Sequence, residues 1–160
     1  MKTFHKTLIA VVLLAVLALV AVPAFAQTPA ASTKTVTLTE EEANQLYRVT
    51  NPRYRSVENV VVDFQPGQTV ISATITLRGK DPVAVAVTLV PSITRGHIYW
   101  AVTVATANGE PVSDELLAQI NASITSSWRY FIRQQAPDGR VTSIEITEDA
   151  LVLTWAVGRK

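Results

Sequence analysis

His97 is the one histidine beyond the first 26 residues, and the chain holds no cysteine. A lone imidazole does not make a familiar zinc site, which needs three or four nitrogen and sulfur ligands. Glu40, Glu41 and Glu42 offer carboxylates to a hard cation such as calcium, but an acidic first helical turn accounts for the same run. Serine, threonine and aspartate are plentiful, yet no Gly-x-Ser-x-Gly elbow raises a nucleophile toward a base. The expectation is a non-enzymatic protein with no metal and no cofactor. Two groups of residues are suited to binding instead. Arg48, Arg53, Tyr54 and Arg55 crowd one segment, where guanidinium forks match a phospholipid headgroup or an anionic glycan, a solvated loop being the plainer alternative. Trp100, Trp128, Phe131, Trp155 and Tyr99 would either line an apolar mouth or pack in a core.

The element that must position most of them is Ser113 to Gln135. Leu116, Leu117, Ile120, Ile124, Trp128, Phe131 and Ile132 recur at three- and four-residue steps and make one apolar stripe on a helix. Ser113 caps it, Asp114 and Glu115 complement the dipole, Val112 can staple onto Leu117, and Pro137 ends it. Burying each large side chain is worth about 1.5 to 3 kcal/mol, so the stripe has to face a core.

Residues 1–26 read as a secretory signal peptide: Lys2 and Lys6, an apolar run from Leu8 to Val22, and Ala24-Phe25-Ala26 before Gln27. That run is shorter than the roughly 20 residues a spanning helix needs, although a retained anchor is the competing reading. Removing Lys2 and Lys6 from the 14 basic residues leaves 12 against 13 acidic ones, so no basic field invites nucleic acid. Thr, Pro, Ala and Ser dominate residues 27–35, expected as a flexible linker, and residues 36–160 form one domain.

Within that domain Thr39 and Glu42 make a capping box for a short helix carrying Ala43, Leu46 and Tyr47 inward. The period then changes to two. Val60, Val62 and Phe64 face one way in the first strand, Ile71, Ala73, Ile75 and Leu77 in the second, and Val83, Val85, Val87 and Leu89 in the third. After a Pro91 to Gly96 connection, a fourth strand aligns Ile98, Trp100, Val102 and Val104. Beyond the long helix a closing hairpin places Ile144, Ile146, Leu151, Leu153, Trp155 and Val157 on one face. The expected fold is α+β, a curved antiparallel sheet of about six strands wrapped around one long amphipathic helix. The inner strand positions outnumber those the helices offer, and curvature or an apolar guest would make up the difference.

Leu38-Thr39-Glu40-Glu41-Glu42-Ala43-Asn44-Gln45-Leu46 resembles the first helix of secreted LmeA-like phospholipid-binding proteins and of the YpmS-like and YceB-like groups. Val83 to Pro91, Gly96-His97-Ile98 and Asn108-Gly109-Glu110-Pro111-Val112 follow a similar order, in a fold like half of a tubular lipid-binding domain. The resemblance implies a cell-envelope protein holding a phospholipid or other elongated apolar ligand between helix and sheet, with peripheral membrane association. Leu117, Ile120, Ile124, Trp128, Phe131, Trp100 and Trp155 would then meet the tail, and Arg53 and Arg55 the headgroup. The alternative is a packed interaction module whose outer sheet face or edge meets a protein partner, since Ala84, Ala86, Ala101, Ala105 and Ala156 are small and uncharged. Oligomeric state is left open.

Overall fold

The computed structural model describes residues 32–49, 55–135 and 139–157; the expected signal segment, Arg53 and Tyr54, and Pro137 lie outside them. Among the described residues the fold is α+β. The strands are β1 (Thr33–Thr39), β2 (Arg55–Gln65), β3 (Gln68–Leu77), β4 (Val83–Thr94), β5 (His97–Ala107), β6 (Glu110–Pro111), β7 (Arg140–Ile146) and β8 (Ala150–Ala156). A short helix α1 (Glu40–Leu46) follows β1, and α2 (Asp114–Ile120), a π turn (Asn121–Thr125) and α3 (Ser126–Gln135) run on as the long helix. The strands form two antiparallel sheets, β1-β8-β7 and β2-β3-β4-β5-β6.

The single sheet of about six strands expected from alternation is therefore two. The β2 to β5 meander is as expected, whereas the closing hairpin joins a separate sheet through β1. That strand starts at Thr33, inside the expected linker, and sets Val36 and Leu38 opposite Leu153 and Leu151. The apolar excess of the strands is taken up here: Leu38, Ile146, Leu151, Leu153 and Trp155 belong to the same core as Phe64, Ile71, Leu89 and the helix stripe.

Bulges re-phase the alternation. Val57 and Val62 both face the core, which an odd spacing forbids in a regular strand, and a register slip between Glu58 and Val61 reconciles them. In β5, Thr88 pairs with Val104 but Leu89 pairs with Val102, so Thr103 is the extra residue. Past it Val104 points outward, 53% exposed, and Ala105 turns toward the core, the reverse of the expected pattern. The expected Pro91 to Gly96 connection is also mostly strand, because β4 continues to Thr94. Pro91 is tolerated there since the β3 ladder ends at Thr69↔Leu89 and its missing N–H breaks no bond to β3.

The capping box of α1 forms as expected, Thr39 Oγ1 accepting from the Glu42 amide and Glu42 Oε2 from the Thr39 amide. The same helix protects a sheet edge. Asn44 Nδ2 donates to the Val62 carbonyl and Asn44 Oδ1 accepts from the Val62 amide, both at 2.8 Å, while Glu40 Oε2 accepts from the Phe64 amide. An amide side chain thus stands in for a neighbouring strand along β2.

The expected long helix is present, with the π turn as an unforeseen interruption. Ile120, Ile124, Trp128 and Ile132 are spaced by four, and in an unbroken α-helix of 3.6 residues per turn such a row drifts by about 40° per step. A wider turn between Asn121 and Thr125 reduces that drift, and all four side chains are buried.

Candidate functional site

Trp128 has no exposed surface and forms the centre of the aromatic residues singled out above. Its ring lies 5.3 Å from Tyr47, 5.6 Å from Trp100, 5.6 Å from Phe131 and 6.3 Å from Phe64, mostly edge to face. Helix, five-stranded sheet and α1 meet at this cluster. Ile120 and Ile124 are equally enclosed, Trp155 is buried in the three-stranded sheet, and Leu117 and Phe131 are half-buried at the helix flanks. Trp128 Nε1 has no hydrogen-bond partner, and neither do the hydroxyls of buried Thr69 and Thr125. Tyr47 Oη donates to the Ile124 carbonyl of the π turn at 2.8 Å, and burial pushes its phenol above the ordinary value.

Of the arginines expected to act together, Arg48 and Arg55 bond different partners. Arg55 Nη1 donates to Gln119 Oε1 on the long helix, its Nε is buried without a partner, and burial lowers its pKa. Arg48 Nη1 instead donates to the Tyr47 carbonyl. Arg53 is outside the described residues.

Two clefts flank the long helix. The first, about 490 Å3, lies between the α1 end and α3, with exposed Leu46 and Tyr130 beside Arg48 and Ser126. The second, about 630 Å3, lies where the end of α3, the start of β5 and the start of β7 meet. Its apolar wall is Ile98, Trp100, Ile132 and Val141, and Arg129, Arg133 and His97 contribute cationic or polar groups. Glycines stand at two close approaches here, one between the β4–β5 turn and β7 and one against β8. Gly96, at φ +82°, would place a Cβ 2.9 Å from Arg140 Cβ, and Gly139 would place one 2.9 Å from Trp155 Cδ1. The Val141 amide then reaches the Gly96 carbonyl at 3.0 Å.

Sequence reasoning named Trp100 but passed over Arg129 and Arg133, and it weighed His97 only as a lone imidazole that does not make a zinc site. The four-residue spacing of the arginines was the available signal; their nearness to His97 depends on how β5 meets the helix. Among the described residues no group of three or more His, Asp or Glu side chains is placed to hold a metal, and no helix is long and apolar enough to cross a membrane.

What fold and site define is an α+β domain of two antiparallel sheets whose long helix buries its apolar stripe in their common core, with clefts at the helix flanks. No family model matches the chain, and comparison with curated proteins and with solved structures finds no significant match.

Proposed function

We propose that this chain is an exported, non-enzymatic structural module that associates through the outer face of its five-stranded sheet. The observation that carries this reading is that face itself. Val61, Ser72, Ala86 and Thr106 form one row across β2 to β5, and Val70, Thr88 and Val104 form another that begins at Asp63. Val61 and Val104 are 53% exposed and Tyr99 54% exposed, and Ala84 and Ala101 are also open to solvent. Of the charges along these strands, Arg55 bonds Gln119 on the long helix, which leaves Asp63 and, at the bulged end of β2, Glu58, both on β2. A wetted sheet face ordinarily carries more charge than this.

The partner we assign is a second copy. Two such faces bring together small and β-branched side chains with few like charges to repel, the conditions under which sheets stack. Enclosure of Trp128 by four rings favours this reading over a lipid held between helix and sheet, the role that the resemblance to LmeA-like proteins implies. Sedimentation velocity across a concentration series tests it. A monomer–dimer equilibrium weakened at least tenfold by Val61→Lys or Val104→Lys is expected. A chain that stays monomeric at millimolar concentration overturns the reading.

A further inference from the structure

We infer that the 630 Å3 cleft between α3, β5 and β7 binds a phosphate group carried on an apolar body, independently of the sheet face. Arg129 and Arg133 are four residues apart on α3 and line this cleft together with His97. Like charges at that spacing repel weakly on a helix, and an anion between them would relieve the repulsion. Among the described residues neither guanidinium is paired with a carboxylate, and no acidic side chain lines the cleft.

Arg129 is also held in place. Its Nη2 donates to the Trp100 carbonyl at 2.8 Å, on the side of β5 away from β4, leaving the remaining N–H groups of a rigid fork for a ligand. Pre-positioning of this kind reduces the ordering cost of binding. The helix dipole accounts for one cation in the last turn, and Arg133 fills that role. It does not account for a second arginine tied to the sheet, nor for His97 at the same cleft.

The chemistry is that of a doubly charged tetrahedral anion, which two guanidinium forks match better than a single carboxylate does. Ile98, Ile132 and Val141 form the apolar wall on which the organic part would rest. The same group is found on soluble phosphate esters and on lipid headgroups, and the experiment separates them.

The probe is phenyl phosphate, titrated into the full chain by calorimetry and followed by phosphorus NMR. Saturable binding is expected, about tenfold weaker in Arg133→Gln and undetectable in Arg129→Gln/Arg133→Gln. Arg133 is exposed, so its single variant stays informative even if loss of the Arg129 bond to β5 disturbs folding. Cosedimentation with vesicles of phosphatidylcholine containing phosphatidic acid, but not with phosphatidylcholine alone, assigns the group to a lipid. Binding of phenyl phosphate without cosedimentation assigns it to a soluble ester. Absence of both, or an affinity unchanged in Arg133→Gln, overturns the inference and leaves Arg133 as a helix-end cation. Val104→Lys should leave phenyl phosphate binding unchanged, so the cleft and the sheet face succeed or fail separately.

Discussion

Tyr47 shows how one side chain ties the short helix to the long one. Its ring packs edge-on against Trp128, and its hydroxyl donates to the Ile124 carbonyl. Ionising this phenol would strand a buried anion away from water, which explains the upward shift. In the unfolded chain a tyrosine ionises near about 10, whereas here it holds its proton to higher pH. The resulting stability is fully present below about pH 10 and is lost as pH rises toward the folded value. Denaturant melts between about pH 8 and 11 should therefore show a falling midpoint at the alkaline end. Tyr47→Phe should cost about 0.5 to 1.5 kcal/mol at neutral pH and flatten that alkaline fall. An equally steep alkaline limb in the variant would mean that Tyr47 is not its source.

At the scale of elements, the contact between α1 and β2 is the one most open to test. Asn44 supplies both a donor and an acceptor to Val62, so Asn44→Ala leaves two backbone groups without those partners. The expected cost is about 1 to 3 kcal/mol in urea unfolding, with faster light-scattering growth as the β2 edge opens. Asn44→Asp keeps the acceptor and loses the donor, and should fall between the two. The sequence made α1 and its capping box readable, because Thr39 and Glu42 interact within one turn. Ile71 to Leu77 and Val83 to Leu89 were readable as well, since nothing interrupts their alternation. Where an extra residue enters the strand, as at Thr103, every later position changes face, and a single chain carries no local mark of that slip. β1 was hidden for another reason. Its threonines suit a strand and a linker equally, and only pairing with β8, far along the chain, decides between them. The stripe of the long helix was legible, but the π turn that keeps its four-residue steps together was not. Arg129 and Arg133 lay in plain view on that helix, while their nearness to His97 had no sequence signal.

For the molecule as a whole, two sheets share one interior. The Gly67 amide donates to the Ile146 carbonyl and the Val141 amide to the Gly96 carbonyl, so β7 is bonded to two hairpin turns of the five-stranded sheet. Leu151, Leu153 and Trp155 belong to the same apolar core as Phe64 and Trp128. Neither sheet keeps its inner face covered if the other departs, so both should unfold in one transition. Far-ultraviolet circular dichroism and tryptophan fluorescence are expected to give coincident urea curves; separated midpoints would show that the sheets come apart independently. The pairing of Thr33–Thr39 with Ala150–Ala156 sets a schedule as well. Among the described residues β1 pairs only with β8, far along the chain, so this pairing closes a much longer loop than any within the meander. Contacts of high sequence separation form slowly, so closure of the three-stranded sheet should come late in folding, after the local hairpins of the meander.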